Sequence, residues 1–326
     1  MIYVQTNDAE RNEVVAFRPD ADGRPERAAA VATGGRGTGE PHLPSQGSVV
    51  LAGDRLLVAN AGSDDVSLLD AGDLRLLEVA HAGSRPTSIA VHDDLVYVLA
   101  NGDAVVTGFR LRDGLDPIPG STRPLSSPDA DGAQVAFAPD GRSLVVTERG
   151  TNAISIFPVR GDGLLDRPTT VPSAGATPYG FAFARGHLVV TEAFGGAVGR
   201  AAASSYDDGL RPVSASLGTG RSEVCWAVAS PDGRFVWVTN FGDNTISTYA
   251  VGADGSLAVV DAVAGETHPG RKGLRDEALS GDGRFLYALD ADASELAAWR
   301  VGDGGKLEPV GATNGLPATA AGLAAA

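Results

Sequence analysis

Acidic residues at the ends of short apolar runs, and arginines near them, are the side chains in this sequence most suited to chemistry. Glu148 and Glu192 each follow a Val-Val-Thr run, and Arg275 begins an Arg-Asp-Glu triplet. A positioned carboxylate can act as a general base on water or on a carbon acid. A guanidinium can hold a carboxylate or stabilise an oxyanion. We therefore predict a catalytic site with Glu192 as the base, Arg275 as the anion anchor and Glu148 as a second carboxylate.

Each of these candidates also has a structural interpretation. Glu192 could simply accept hydrogen bonds from nearby backbone groups, and Glu148 could pair with Arg149. Arg275 could form an ion pair with one of the acidic residues around it, which are Asp276, Glu277 and Asp290. If Glu148 and Glu192 lie close together, one pKa would rise and the pair would offer an acid beside a base. The sequence alone leaves both interpretations open.

The charge balance excludes several classes of partner. The 326 residues include 26 basic and 41 acidic side chains, for a formal net charge of −15. Nucleic acids and anionic membranes both require a basic surface, so we expect a small molecule as the partner and neither of these. No apolar run has the length of a membrane helix, and the first residues lack the regions of a signal peptide. A cytoplasmic monomer is the expectation.

No cofactor or metal is expected from the motifs. The single cysteine, Cys225, excludes an intrachain disulfide and a Cys-based zinc site, and the five histidines are scattered. The glycine run at 34–39 does not open a helix, so it lacks the context of a dinucleotide-binding motif. The alternative is a Ca²⁺ or Mg²⁺ ion in the channel, held by the side-chain oxygens of Asn60, Glu192, Asn240 and Asp290.

A repeat of about 47 residues organises the chain. Segments 139–148, 231–240 and 281–290 each combine an Asp-Gly turn with an apolar strand that ends in a polar residue. Asp-Gly favours tight hairpins, and the end residue recurs as Asn7, Asn60, Asn101, Glu148, Glu192, Asn240 and Asp290. Seven units of four short strands are typical of a propeller. We predict an all-β fold in which residues 1–326 form a single seven-bladed β-propeller domain with four antiparallel strands per blade.

The two ends of the chain are predicted to share one blade. Residues 317–324 are similar to the start of an inner strand at 86–91, whereas the chain opens directly with a second strand. The C-terminal segment would then supply the innermost strand of the blade that the N-terminus begins. This arrangement closes the ring and removes an open sheet edge.

The repeat also predicts where a site would lie. In each blade the end of the second strand lies beside the start of the inner strand, so these residues meet at one mouth of the channel. We predict that the substrate is bound there by Gln46, Asn60, Gln134, Arg149, Tyr179, Trp226, Asn240 and Asp290, with His268 from a basic loop. Tyr179 and Trp226 could instead be packing residues, and Cys225 is expected to be an inert core thiol. A similar loop carries His42.

With these repeats the chain resembles the seven-bladed lactonase-type propellers, which include bacterial 6-phosphogluconolactonase and fungal carboxymuconate lactonising enzymes. The resemblance covers essentially the whole chain and rests on the segments 58–60, 190–193 and 275–276, which read Val-Ala-Asn, Val-Thr-Glu-Ala and Arg-Asp. It implies functional roles for the Glu and the Arg that correspond to Glu192 and Arg275. The histidines of the family pattern are absent from the matching positions, which are Gln46, Ala133, Gly180 and Val228.

The resemblance implies ring-opening hydrolysis of a small lactone or another carboxylated substrate at the channel mouth. Glu192 would be the base and Arg275 the anion or oxyanion anchor. Two other functions stay open. A divergent enzyme could use Glu148 and Glu192 as paired carboxylates for isomerase- or cyclase-type chemistry. A non-catalytic propeller could bind a protein partner through its rim, which would need an exposed apolar patch.

Overall fold

The computed structural model describes residues 1–41 and 43–326, and it contains seven antiparallel sheets. Each sheet has four strands, and one sheet carries a short additional strand. The inner strands of neighbouring sheets contact one another all the way round, so the sheets are blades around a central channel. The predicted all-β, seven-bladed architecture is confirmed.

The first three strands of the chain belong to blade one and are β1 (Ile2–Gln5), β2 (Glu13–Pro19) and β3 (Pro25–Ala32). Blade two contains β4 (Val49–Ala52), β5 (Arg55–Asn60), β6 (Asp65–Asp70) and β7 (Leu76–His81). Blade three contains β8 (Pro86–His92), β9 (Leu95–Ala100), β10 (Val105–Leu111), β11 (Leu115–Pro117) and the additional β12 (Arg123–Pro124). Blade four contains β13 (Gly132–Phe137), β14 (Ser143–Glu148), β15 (Ala153–Pro158) and β16 (Thr169–Pro172).

Blade five contains β17 (Pro178–Ala184), β18 (His187–Glu192), β19 (Ala202–Tyr206) and β20 (Pro212–Gly218). Blade six contains β21 (Val224–Ala229), β22 (Phe235–Asn240), β23 (Thr245–Val251) and β24 (Leu257–Glu266). Blade seven contains β25 (Leu274–Leu279), β26 (Phe285–Asp290), β27 (Glu295–Val301) and β28 (Leu307–Asn314), and the last strand of the chain is β29 (Ala321–Ala325). Two single 3₁₀ turns, Phe194–Gly196 and Asp303–Gly305, are far too short to be membrane-spanning helices.

The Asp-Gly turns act as the sequence predicts. In blade six Gly233 has φ +68°, a conformation that glycine adopts without a steric penalty. The Asp232 carboxylate accepts a hydrogen bond from the Arg234 amide at 3.0 Å and so fixes the turn. The strand that follows is β22, which pairs with the inner strand β21. This turn therefore sets the register of the hairpin nearest the channel.

Closure of the ring is achieved by the two ends of the chain. Strand β29 pairs antiparallel with β1, and Ile2, Tyr3 and Val4 lie opposite Ala325, Ala324 and Leu323. The C-terminal segment is thus the innermost strand of blade one, as predicted. Strand β29 also contacts β25 of blade seven and β4 of blade two, so the ring of inner strands is continuous.

Aromatic side chains tie neighbouring blades together. The Tyr3 hydroxyl donates to the carbonyl of Ala71 at 2.7 Å, and the Tyr97 hydroxyl donates to that of Gly163 at 2.9 Å. The Trp237 indole N–H donates to the carbonyl of a glycine in the following blade at 3.0 Å. In each case a second strand contacts a turn of the next blade. The rings also fill the apolar layers between blades, so each one adds buried area and a satisfied polar group.

The direction of the inner strands defines two ends of the channel. All seven inner strands begin at the end where the second strands finish, and we call this end the mouth. They finish at the opposite end, which we call the far end. The edge of each inner strand that faces the channel has no strand partner, so its backbone groups must be satisfied by side chains, loops or ligand.

Candidate functional site in the central channel

The mouth is filled by residues 43–48, which precede β4 and are called the mouth segment here. The Ser45 hydroxyl donates to the carbonyl of Thr87 at 2.7 Å, and the Gln46 amide N–H donates to that of Ala133 at 2.9 Å. From the other side of the ring, the Trp226 indole N–H donates to the carbonyl of Ser45 at 2.8 Å. The segment is therefore held by inner strands from blades three, four and six.

Gln46 crosses the channel. Its side-chain N–H donates to the carbonyl of Ala227 at 2.8 Å, and its side-chain oxygen accepts from the amide of Ala227 at 3.0 Å. Both ends of the side-chain amide are thus used by the unpaired edge of β21. Gly180 makes this possible, because a Cβ there would lie 2.7 Å from the carbonyl oxygen of Cys225 and would also collide with Gln46. Gln46 was predicted to bind substrate, and in the structure its side chain lies across the mouth and is bonded to Ala227.

Other side chains cap inner-strand edges in the same way. The Gln134 side-chain oxygen accepts from the amide of Phe181 at 2.6 Å, and the Ser88 hydroxyl accepts from that of Val135 at 3.0 Å. The Thr191 hydroxyl contacts two carbonyls, with 2.6 Å to that of Cys225. Gln134 lies at the mouth as predicted, and its oxygen is committed to backbone.

Arg275 is buried and holds the chain just before the mouth segment. One guanidinium N–H₂ group donates to the carbonyl of Pro41, and the other forms an ion pair with Asp292 at 3.0 Å. The guanidinium carbon also lies 5.3 Å from the ring centre of Phe241. Burial lowers the pKa of Arg275, and the carboxylates of Asp292 and Asp276 oppose this effect. The partner in the ion pair is Asp292, a residue outside the set considered from the sequence.

Glu192 lies within blade five with no exposed surface. Its carboxylate accepts from the amide of Gly175 at 2.7 Å, from the Ser216 hydroxyl at 2.5 Å and from the Ser204 hydroxyl. Burial raises the pKa of Glu192, and these three hydrogen bonds work against the increase. The carboxylate therefore joins three segments of its own blade. Its role as a base stays a prediction.

Glu148 has an equivalent position in blade four. It is fully buried, and its carboxylate accepts from the hydroxyls of Ser155 at 2.7 Å and Thr151 at 2.8 Å, and also from Ser126. All of these partners belong to blade four and the segment before it. Each of the two glutamates is thus bound inside its own blade, and neither is a hydrogen-bond partner of the other.

In three of the seven blades, the polar residue at the end of the second strand bonds to a serine seven residues later on the third strand. The three pairs are Asn60 with Ser67 at 2.7 Å, Glu148 with Ser155 at 2.7 Å and Asn240 with Ser247 at 2.9 Å. The spacing was present in the sequence and would have identified these residues as internal anchors of the blades. Asn60 and Asn240, predicted to bind substrate, have this structural position.

The wall of the mouth is aromatic and closed. The rings of Tyr179 and Trp226 meet edge to face with centres 5.5 Å apart, and the Arg149 guanidinium lies 5.0 Å from the Tyr179 ring. Arg149 also forms an ion pair with Asp131 at 2.6 Å. Burial strongly raises the pKa values of Tyr179 and Cys225. Arg149, Tyr179 and Trp226, which were predicted to bind substrate, thus lie together in a packed cluster beside the mouth segment.

Asp290 and His268 lie together on the rim of blade seven. Asp290 accepts from the side chains of Asn244 at 2.9 Å and Thr267 at 2.7 Å, and His268 contacts Glu295 at 3.0 Å. Ligand atoms of Asp290, His268 and Glu295 lie within 4.8 Å of one another, a spacing that a metal ion could use. The four oxygen donors considered for a channel cation belong to four different blades, and His42 lies outside the described residues.

The far end of the channel is open and apolar. A cavity of about 470 Å³ lies between the ends of five inner strands and is lined mainly by Val, Leu, Ala and Phe side chains. Among them are Val50, Phe183, Val228 and Leu279. Glu277 is the one charged residue among the described lining residues. The sequence suggested Glu277 only as a partner for Arg275, although three successive charged residues inside a buried inner strand are an unusual signal.

Glu277 has no hydrogen-bond partner among the described residues. It is 4% exposed, and both of its carboxyl oxygens are shielded from water. Burial raises its pKa well above the usual range, and the neighbouring Asp276 adds to this. The backbone of Val228 lies close enough to oppose the increase, although its contact with the carboxyl group falls short of hydrogen-bond geometry. Asp276 itself accepts a hydrogen bond from the amide of Gly322 at 2.9 Å, and burial raises its pKa to about 7.

Comparison with known proteins agrees with this architecture. The family model described as "Lactonase, 7-bladed beta-propeller" matches residues 108–193 and 212–322. A search of curated proteins finds no significant match. Among solved structures, a protein from Bacteroides uniformis ATCC 8492 described as a candidate 6-phosphogluconolactonase is 18% identical, with a TM-score of 0.75 and 98% of each chain covered.

Two further structures show the same fold. A protein from Lactobacillus plantarum is 18% identical, with a TM-score of 0.75 over 99% of this chain and 98% of its own. Virginiamycin B lyase from Staphylococcus aureus is 12% identical, with a TM-score of 0.61 over 84% of this chain and 85% of its own. At these identities the structural likeness concerns the fold alone, whereas the family model matches more than half of the sequence. The chain belongs to the seven-bladed β-propeller lactonase family.

Proposed function

We propose that this chain is a small-molecule-binding propeller whose ligand occupies the far end of the channel, and that it does not hydrolyse lactones at the mouth. The observation that carries the proposal is the pair of hydrogen bonds between the Gln46 side chain and Ala227 across the mouth. A substrate would need the space that this side chain, Ser45 and Trp226 occupy. The carboxylates predicted to react are bound inside their blades.

The energy needed to open the mouth supports this proposal. Moving the mouth segment would break the two side-chain bonds of Gln46 to Ala227 and the bond between Trp226 and Ser45. It would also break the bonds from Ser45 to Thr87 and from the Gln46 amide to Ala133. Each buried group left without a partner costs about 1–3 kcal/mol, so opening would cost on the order of 5 kcal/mol. Binding a small substrate there would have to supply this energy first. The far end needs no such rearrangement of backbone.

The dimensions of the far end suit a small organic ligand. Pockets for such ligands are typically about 300–1,000 Å³, apolar, with a few polar groups. The cavity of about 470 Å³ with a single charged lining residue fits this description. It is a depression largely open to solvent, and the inner strands of five blades contribute to its surface.

Hydrolysis of a small lactone or carboxylated substrate is the second candidate. The family resemblance favours it, and so do two arginines near the mouth, Arg149 and Arg275, whose charges both act on the Cys225 thiol. In this alternative the mouth segment leaves, Arg275 anchors the anion or oxyanion, and Glu192 activates water. A raised pKa makes the Glu192 carboxylate a stronger base.

One experiment separates the two candidates. The protein is assayed with 6-phosphogluconolactone and with simple γ- and δ-lactones, and ring opening is followed by proton release. We expect no turnover above the uncatalysed rate. Turnover that is lost in both Glu192→Gln and Arg275→Ala, with both variants folded, would overturn the first proposal and support hydrolysis at the mouth.

Binding at the far end is tested separately by thermal stabilisation. Benzyl-sized amines, alcohols, carboxylates and lactones are screened, and the best ligand is then measured by calorimetry. Ala229→Phe fills the cavity from blade six and is expected to abolish binding. Ala182→Phe provides an independent block from blade five. Ala29→Phe, an exposed site on β3, is the matched control and should bind normally. Binding that both blocking variants retain would contradict the proposed location.

A further inference from the structure

The far end contains a buried acid that the protein itself leaves without a counter-ion. The two oxygens of Glu277 lack hydrogen-bond partners among residues 1–41 and 43–326, and the side chain is 4% exposed. No basic side chain belongs to the described lining of the cavity. Arg275, two positions earlier, is engaged at the mouth with Pro41 and Asp292. An acid in this position costs stability as long as nothing pairs with it.

We propose that the far end binds a small amphiphilic ammonium ion, with Glu277 as its counter-ion and the apolar wall around its hydrocarbon part. The assignment rests on the proposed function, since it specifies the ligand of that same cavity. A protonated amine offers up to three donors and a positive charge, which together match a carboxylate without partners. The apolar lining matches an aromatic or branched aliphatic body.

Other ligand classes fit the charges less well. An anion would meet Glu277, the adjacent Asp276 and the field of a protein with a formal net charge of −15. A neutral ligand would leave Glu277 protonated and without a counter-ion, so it would gain nothing from the acidity of this group. An ammonium ion beside Glu277 favours its ionised form, which opposes the effect of burial. Both oxygens are shielded from water, so binding also requires the Glu277 side chain to rotate into the cavity that it lines.

The test compares three probes of nearly equal size, namely benzylammonium, benzyl alcohol and benzoate. Their binding to the full chain is measured by calorimetry at one pH and one salt concentration. We expect benzylammonium to bind at least tenfold more tightly than the other two. Glu277→Gln should weaken benzylammonium binding at least tenfold and leave benzyl alcohol within about twofold. Glu26→Gln, on the exposed face of β3, removes the same charge and should change nothing.

The outcomes separate this inference from the proposed function. If benzyl alcohol binds as tightly as benzylammonium and Glu277→Gln affects neither, the ammonium assignment is wrong, while far-end binding stands. If no probe of any class binds, both proposals fail. Glu277→Leu gives a second variant without the carboxyl group, so that a folding defect in Glu277→Gln, seen by circular dichroism, does not leave the question open.

Discussion

The mouth and the far end of the channel are built from the same seven inner strands, yet their polar groups are partnered differently. At the mouth, the Gln46 side chain satisfies both the N–H and the C=O of Ala227 from across the channel. At the far end, Glu277 has two oxygens without partners and only apolar neighbours in the cavity wall. The protein thus fills the mouth of the channel with its own residues, whereas the far end is open.

The largest effect is expected from closing the space that lets Gln46 cross the mouth. In Gly180→Ala, the new Cβ would lie 2.7 Å from the carbonyl oxygen of Cys225 and 2.9 Å from the Cα of Trp226, both of them backbone atoms. Overpacking of this kind costs about 1–3 kcal/mol and occasionally more. We expect the free energy of unfolding, measured with urea, to fall by about 3 kcal/mol.

Gly161→Ala is the matched control. Gly161 lies in a turn of blade four, and a Cβ there would meet nothing within 4 Å. Its stability should stay within about 0.5 kcal/mol of the wild-type value. Equal effects of the two substitutions would mean that the mouth is not as tightly packed in solution as the structure shows.

The next largest effect is a dependence of stability on pH, and it concerns Asp276, which lies between the mouth and the far end of the channel. Its folded-state pKa is about 7, above the ordinary value of 3.8, so the protonated form is the one that the fold favours. The stabilisation is therefore present at low pH and is lost as pH rises through 7. At about 1.4 kcal/mol per pKa unit, the wild type should lose roughly 2.5 kcal/mol between pH 5 and pH 8 through this group.

Asp276→Asn should remove that part of the pH dependence while keeping an acceptor for the amide of Gly322. The measurement is the difference in unfolding free energy between wild type and variant at each pH, in which the contribution from Glu192 cancels. The part of the Glu277 shift that Asp276 causes is removed together with the Asp276 charge. Parallel pH profiles for the two proteins would show that Asp276 is not a buried acid.

Two substitutions, one at each end of the channel, should change the free energy of unfolding in opposite directions. Gln46→Ala leaves the N–H and C=O of Ala227 without partners and should destabilise the protein by about 2 kcal/mol. Glu277→Leu removes a buried carboxyl group without partners and should stabilise it by about 1 kcal/mol. Chemical denaturation measures both. Shifts in the same direction would remove the distinction between the two ends.

The last effect is kinetic. Cys225 is buried beside the mouth segment, and burial raises the pKa of its thiol well above the usual range. A thiol reagent should therefore label it at a rate set by opening of the structure. We expect slow labelling in the wild type and at least tenfold faster labelling in Gln46→Ala. A wild-type rate close to that of a free thiol would contradict a closed mouth.

The fold was predictable from sequence because its determinants are local and repeated. The Asp-Gly turn recurs in blades four, six and seven, and a polar residue recurs at the end of the second strand in all seven blades. The pairing of β29 with β1 was predictable for the same reason, since one inner strand was missing at the start of the chain.

The site was less predictable because its contacts depend on distant parts of the chain. Gln46 and Ala227 are 181 residues apart, and nothing in either local sequence predicts that they meet. Glu148 and Glu192 each end a second strand, but the sequence pattern did not reveal that their carboxylates bond within the blades. Glu277 was recognisable only as one of three charged residues in an inner strand, and its lack of a partner required the structure.

The most direct test of the account is amide hydrogen exchange at Ala227, measured in the wild type and in Gln46→Ala. If Gln46 closes the mouth, the Ala227 amide should exchange in the wild type as slowly as amides paired within the blades, and the variant should lose most of this protection. Rapid exchange of Ala227 in the wild type, or protection that persists without the Gln46 side chain, would contradict the central claim that the chain fills its own channel mouth.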